Sequence, residues 1–357
     1  MIRILLPVVL CVATLAACSS EPQRNGTQAS APAASTAGDA APVSGPMATP
    51  TVVRDWGAKP VPGGLKTFGD WGAGCDNTKA CEMRSLAPEG QLPGGVTVSI
   101  GREAGPAGAV SFSLGGEQDG LAASVDGKTA ATPLALVTAM ANGRALAALV
   151  AGKVVGTVSL KGAAAALRYM DAEQGRAGTT SALVAKGPAP AETTPPPVVP
   201  VIAALTPDGT AASASAAQLA TMRKAANCDA EGSSDTPEFH ALGGGRTLVL
   251  LPCSGGAYNI SQALFVSDGS GFAPAQTDAP VGTGPEGESP VPTVVNGRWE
   301  KDVLTSYAKG RGMGDCGVSQ ELVWDGTRLR LSLQREMGEC RGNMDYIRTW
   351  QARVVRR

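Results

Sequence analysis

One histidine, eight cysteines and a short run of basic residues set among glycines are the chemically suggestive residues of this 357-residue chain. A Ser-His-Asp triad would have to use His240, which lies in a loop-like stretch before Gly243-Gly244-Gly245, and no GxSxG elbow accompanies it. Zinc chemistry lacks its ligands as well: there is no CxxC pair to join the single histidine. Asp171 and Glu173, with Arg176 beside them, could be drawn as an acid and its partner. Two residues apart on a helix they face different directions, so a charged helix end is the competing account. The string Lys309-Gly310-Arg311-Gly312-Met313-Gly314-Asp315-Cys316, with Cys340-Arg341 further on, offers a third possibility. A bond between Cys316 and Cys340 would draw Arg341 toward Lys309 and Arg311, and glycine backbone N–H groups could then meet an anion. The alternative is a solvated hairpin held by its disulfide. No P-loop is present, because GxxxxGK is not followed by Ser or Thr anywhere.

The N-terminus says where such residues would work. Met1-Ile2-Arg3 precedes an apolar run from Ile4 to Ala13 and the small-residue string Leu15-Ala16-Ala17-Cys18. That run is short of the roughly 20 apolar residues a membrane-spanning helix needs, so it reads as a signal peptide. The quartet ending in Cys18 resembles the lipobox of bacterial lipoproteins, which implies cleavage before Cys18 and acylation of its thiol. Ser19, rather than Asp, follows it, as in the outer-membrane-sorted members of that class. Cys11 leaves with the signal, and Cys75, Cys81, Cys228, Cys253, Cys316 and Cys340 remain in an oxidising space. Their grouping predicts three sequential disulfides: Cys75 with Cys81, Cys228 with Cys253, and Cys316 with Cys340.

These side chains must be carried by a scaffold poor in large residues. Gly and Pro number 46 and 26, and aromatic residues make up 4% of the chain. Small cores and many turns follow from that composition. Removing Arg3 with the signal leaves 29 basic residues against 31 acidic, which excludes the basic excess of a nucleic-acid surface. Residues 1–17 are the signal and 18–51 an Ala/Pro/Ser-rich stalk too apolar-poor to fold. A first β-rich domain is expected over 52–188, a stiff Pro-rich linker over 189–200, and a second β-rich domain over 201–357.

Within the first domain, Thr132-Pro133 and Asn142-Gly143 bracket a short helix, and Ala163 to Gln174 reads as another. Strands are expected near 95–101, 109–114, 144–150, 153–160 and 180–185. In the second domain a helix near 214–227 precedes strands at 247–252, 261–266, 291–296, 299–307, 319–324, 328–333 and 347–355. The fold class is mainly β with a few short helices (α+β): two small disulfide-stapled domains, the second an antiparallel sandwich or barrel.

Several strings are familiar together: Phe68-Gly69-Asp70-Trp71 with Cys75-Asp76-Asn77-Thr78; Leu167-Arg168-Tyr169-Met170-Asp171 with Gln174-Gly175-Arg176; Gly256-Ala257-Tyr258-Asn259; and Lys309-Gly310-Arg311-Gly312 with Gly314-Asp315-Cys316-Gly317. Their order resembles the domain of unknown function 1176 family of Gram-negative envelope proteins across most of residues 66 to 357. That resemblance implies location and architecture, and no activity. The Trp71 to Cys81 segment is also similar to the invasion-associated locus B family. Ser254-Gly255-Gly256-Ala257-Tyr258 carries the SGxxY pattern of periplasmic and membrane-bound inhibitors of c-type lysozyme. In those inhibitors the Ser and Tyr reach the enzyme's catalytic carboxylates, which would give Ser254 and Tyr258 that role here. Tyr307-Ala308-Lys309-Gly310 is an imperfect copy of their second motif.

The expectation is therefore an envelope lipoprotein held to a membrane, the outer one on its periplasmic side, by lipid on Cys18. It acts without cofactor as a non-catalytic binding or scaffolding module. Its partner is another envelope protein or lysozyme, met through Ser254, Tyr258, Lys309, Arg311 and Arg341. The alternatives are lysozyme inhibition through the Ser254 to Tyr258 loop, and an envelope-polymer hydrolase using Asp171, Glu173 or Asp315.

Overall fold

The structure, a computed structural model, describes residues 51–54, 59–91, 94–228, 236–281 and 290–357. Residues 1–50, on which the expected signal peptide, the lipidation at Cys18 and most of the expected stalk fall, lie outside the described residues. The chain divides into two units, Met1–Gly45 and Pro46–Arg357, so every described residue belongs to the second.

The first half opens with an antiparallel meander of Leu65–Phe68, Trp71–Cys75, Cys81–Ser85, Val96–Arg102 and Val110–Gly116. A four-stranded sheet follows, ordered Lys153–Ser159, Ala145–Val150, Ala122–Val125, Lys128–Thr129. Two helices complete this half. Pro133–Met140 starts as its sequence predicts, with the Thr132 hydroxyl accepting from the Ala135 N–H and proline in the first turn. Ala163–Glu173 is entered through Gly162 at φ 93°, where an added Cβ would sit 1.8 Å from the Phe68 carbonyl oxygen, so only glycine fits. Alanines at 163 and 166 let this helix lie close to the sheet and join Trp71, Met83, Ile100, Leu167 and Met170 in one core.

In the second half a five-stranded sheet runs Glu238–Gly243, Arg246–Gly255, Ile260–Ser267, Phe272–Pro274, with Thr293–Val295 also pairing on Ile260–Ser267. A second meander runs Arg298–Glu300, Val303–Lys309, Gly317–Trp324, Leu329–Met337, Ile347–Gln351. Leucines from both sheets, with Trp324 and Trp350, form the core between them. The helix Ala216–Ala225 joins a separate cluster with Val249, Leu251 and Phe265 of the first of these sheets. These two antiparallel sheets match the sandwich expected from the strand spacing.

Three parts of the architecture differ from the sequence reading. The stretch 180–185 forms no strand; it is a turn whose backbone is gripped by Asp171. The proline-rich stretch 189–200 holds a single 3-10 turn, Ala191–Thr193, and its end is already part of the strand Val198–Ala204. That strand lies between Thr51–Arg54 and Arg353–Arg356 in a parallel three-stranded sheet. The runs 299–307 and 347–355 are each two strands, broken by left-handed Lys301 and Asp302 and by Ala352.

The disulfides are Cys75–Cys81, Cys228–Cys253 and Cys316–Cys340, the pairing read from the sequence. Separations of 25 and 24 residues for the latter two give loop-closure contributions of roughly 3.5 kcal/mol each, against roughly 2 kcal/mol for the six-residue separation of Cys75–Cys81.

Between the halves the contacts are largely polar and specific. Arg348 Nε donates to Asp76 Oδ2 at 2.7 Å, Arg84 Nε to the Asp345 carbonyl at 2.8 Å, and Asn343 Nδ2 to the Ser85 carbonyl at 3.0 Å. Leu86 packs beside Met337, Tyr346 and Cys316.

Candidate binding surface at the loop end

Three hairpin ends meet at one end of the second half. The strand Arg246–Gly255 ends with Ser254 and the turn after it carries Tyr258, both exposed. The turn after Val303–Lys309 carries Arg311, Gly312 and Met313, and the segment after Leu329–Met337 carries Cys340 to Asp345.

Hydrogen bonds fix these turns to one another. Asn259 Nδ2 donates to the Lys309 carbonyl at 2.9 Å, and the Lys309 N–H donates back to Asn259 Oδ1 at 3.1 Å. Asn296 Nδ2 donates to the Tyr258 and Tyr307 carbonyls, while its Oδ1 accepts from the Ile260 N–H. Both tyrosine hydroxyls of the second meander, Tyr307 at 2.7 Å and Tyr346 at 3.0 Å, donate to the Gly314 carbonyl. Burial and its neighbour Tyr307 push the Tyr346 phenol far up, so it stays a donor at any ordinary pH. Cys316–Cys340 closes the base.

Asp315 explains why the basic loop is not an open anion site. It is fully buried, and both its oxygens accept from Arg311: Nε to Oδ1 at 2.6 Å, and a second contact from Nη2 to Oδ2. The Gly342 N–H adds a bond of 2.7 Å. The Arg311 hydrogen bond is the largest influence holding the Asp315 carboxyl below its usual range. Arg341 is committed elsewhere, to the Ala87 carbonyl at 2.6 Å, the Gly69 carbonyl at 2.9 Å and Asp70 Oδ1 at 2.6 Å. Arg311 and Arg341, expected with Lys309 to receive an anion, are thus each bonded to a carboxylate of the chain itself. Two buried carboxylates capture the guanidiniums in bonds shorter and stronger than neutral ones. Lys309 is half-buried, with Nζ 5.5 Å from the Tyr307 ring centre.

What the loop end offers instead is apolar. Tyr258 is 41% exposed, Met313 58% and Met344 67%, all carried by the locked turns. The Tyr258 hydroxyl reaches the Gly310 carbonyl at 3.4 Å, and a Cβ on Gly312 would lie 3.6 Å from its ring. Sequence reasoning found Tyr258 but missed Met313, Met344 and the Asn259 and Asn296 clasps. The Asn296-Gly297 dipeptide was the available sign of a turn there.

Of the carboxylates considered for acid–base work, Asp171 and Asp315 are buried in internal hydrogen bonds and Glu173 is at the surface. Asp171 is 1% exposed and accepts from the N–H groups of Leu183, Val184 and Ala185 at 2.8 to 3.0 Å. Glu173 lies at the surface, 3.5 Å from Lys79 Nζ. Arg176 is wholly buried and donates to Gln174, Ser181 and the carbonyls of Glu103, Gly105 and Pro106; burial lowers its pKa to about 10. A cleft of about 280 Å³ opens beside Ser85, Pro88, Gln91, Thr97, Ser159 and Arg341, and no carboxylate lines it. His240 Nε2 meets Glu238 Oε2 at 3.0 Å, and its ring lies 6.0 Å from that of Trp299.

A family model described as a protein of unknown function (DUF1176) matches residues 65–356. The uncharacterized protein YpfG of Escherichia coli (strain K12) is 31% identical over 186 residues, which cover 49% of this chain and 53% of that protein. The chain thus spans about half the length of the curated relative it matches. No solved structure matches it.

Proposed function

Since the chain belongs to the DUF1176 family of proteins of unknown function, we propose that it is a lipid-anchored, non-catalytic binding module of the cell envelope. It meets a protein partner through Tyr258, Met313 and Met344. The observation that carries this reading is the locked loop end, in which three turns fixed by side-chain amides, two tyrosine hydroxyls and a disulfide hold those side chains out to solvent. A preorganised surface loses little conformational entropy on binding, and tyrosine and methionine are enriched at protein interfaces. Asp171, Glu173 and Asp315, the carboxylates a hydrolase would need, are all engaged in internal bonds or a surface ion pair.

A photo-crosslinking amino acid at position 313, in cells, should give one discrete adduct that Tyr258→Ala abolishes. The same label at exposed Val154 in the first half is the control. Identical adducts from both positions, or none from position 313, would refute the reading. The lipid anchor rests on Leu15-Ala16-Ala17-Cys18. A labelled fatty acid should enter the protein and fail to enter Cys18→Ala, and equal labelling of the two would count against acylation there.

Lysozyme inhibition is a narrower form of the same reading. It is favoured by one contact: Tyr258 lies against Gly310, so the Ser254 to Tyr258 string and the Tyr307 to Gly310 string share a surface. Purified protein should then slow lysis of cell walls by c-type lysozyme, and Tyr258→Ala should restore it. Unimpeded lysis at micromolar protein would remove this form and leave the broader one standing.

A further inference from the structure

Beside the locked turns runs a second feature that the loop-end reading does not use. An open groove of about 460 Å³ is lined by Glu238, Gln262, Asn296, Arg298, Trp299 and Glu300. Its walls come from the edge strands Glu238–Gly243 and Arg298–Glu300, and its floor includes Ile260–Ser267.

The groove pairs one aromatic surface with two carboxylates and one guanidinium. Trp299 is half-buried against the sandwich core and also lines the groove. Among the described residues its indole N–H has no protein acceptor, whereas the indoles of Trp71 and Trp350 donate to the Ser159 and Leu331 carbonyls. Glu238 Oε2 lies 3.0 Å from His240 Nε2, a contact that neutral imidazole also makes, and Glu300 lies 4.0 Å from Arg298 in an exposed ion pair. Gln262 is 7% exposed, and its Oε1 takes the Gly297 N–H at 2.6 Å. Its Nε2 makes one long contact, 3.4 Å, to the Gly297 carbonyl, which leaves donor capacity at the groove floor.

We propose that this groove is a saccharide-binding site for an uncharged, acetamido-bearing oligosaccharide, a short N-acetylglucosamine oligomer being the simplest case. An anion would meet Glu238 and Glu300, which disfavours it. A sugar ring presents an apolar C–H face to the indole and hydroxyls to the flanking carboxylates and guanidinium, and its acetamide oxygen can accept from Gln262. The open shape suits a polymer passing through. The site does not depend on the loop-end partner, since Tyr258 contributes nothing to its lining.

Titrating the purified protein with tri-N-acetylchitotriose, followed by calorimetry and tryptophan emission, tests it. Saturable binding is expected, weakened about tenfold by Trp299→Ala, as loss of an aromatic stack and an indole donor requires. Arg298→Ala and Glu300→Gln change exposed side chains, keep the fold, and should weaken binding about threefold each. Tyr258→Ala should leave the titration intact. Absence of saturation in the wild-type protein, indifference to all three groove variants, or displacement of the sugar by choline chloride would overturn the proposal.

Discussion

Arg341 provides the sharpest test of how the two halves are joined. Its guanidinium donates to two carbonyls of the first half and to Asp70 Oδ1, with side-chain exposures of 18% for Arg341 and 8% for Asp70. Asp70 Oδ2 accepts from Ser159 Oγ at 2.7 Å. Arg341→Met keeps most of the aliphatic stem while leaving a buried carboxylate without its cation, a loss worth about 3–5 kcal/mol. At about 2 °C per kcal/mol for a chain of this size, the melting temperature should fall by roughly 6–10 °C. Thermal unfolding followed by circular dichroism measures it. Asp70→Asn combined with Arg341→Met should cost less than the sum of the single changes, with a coupling of about 1–3 kcal/mol. A single variant that melts within about 2 °C of wild type, or an additive cycle, would show that the pair does not hold the halves together.

Other consequences can be measured on the same protein. Asp171→Ala strips the acceptor from one buried and two part-buried N–H groups and should cost about 3 kcal/mol in denaturant unfolding, whereas Glu173→Ala at the surface should change stability by less than about 0.5 kcal/mol. Asp315 is held below its usual range, so its contribution is present above about pH 4 and vanishes as pH falls through the depressed folded value. Arg311→Ala should therefore move acid unfolding to higher pH; an unmoved acid transition would contradict the pairing. Burial raises Glu336, which gives the opposite sign: the folded state keeps its proton more tightly, and stability falls as pH rises from the usual carboxylate value through the raised one. Glu336→Gln should raise the melting temperature at pH 7, with the gain fading as pH falls below about 4, where the carboxyl becomes protonated in the folded and unfolded chain alike. Removing Cys316–Cys340 by a double Ala substitution should cost roughly 3.5 kcal/mol and increase hydrogen exchange in the turn around Met313.

Much of the chain's local structure was legible because it follows from local rules. Three cysteine pairs close in sequence, a threonine before proline at 132–133, and alternating strands separated by turn residues each specify their element through neighbours a few residues away. The same locality explains the errors. Val198–Ala204 becomes a strand only because segments near residues 51 and 353 flank it in parallel, a pairing that no nearby residue announces. The 180–185 turn copies a strand in composition, yet the carboxylate of Asp171 competes for its N–H groups and wins. For the basic loop, the sequence supplied the right residues and the wrong geometry. Arg341 was expected beside Arg311, but its partner Asp70 lies 271 residues away, and a buried carboxylate decides where a guanidinium points.

By itself, then, the sequence determined what neighbouring residues dictate: the β-rich class, the covalent pairing and the exposed Tyr258 turn. Only the tertiary structure decided which charges cancel, which turns lock together and which apolar side chains remain outside, because those outcomes depend on long-range partners competing for the same hydrogen bonds.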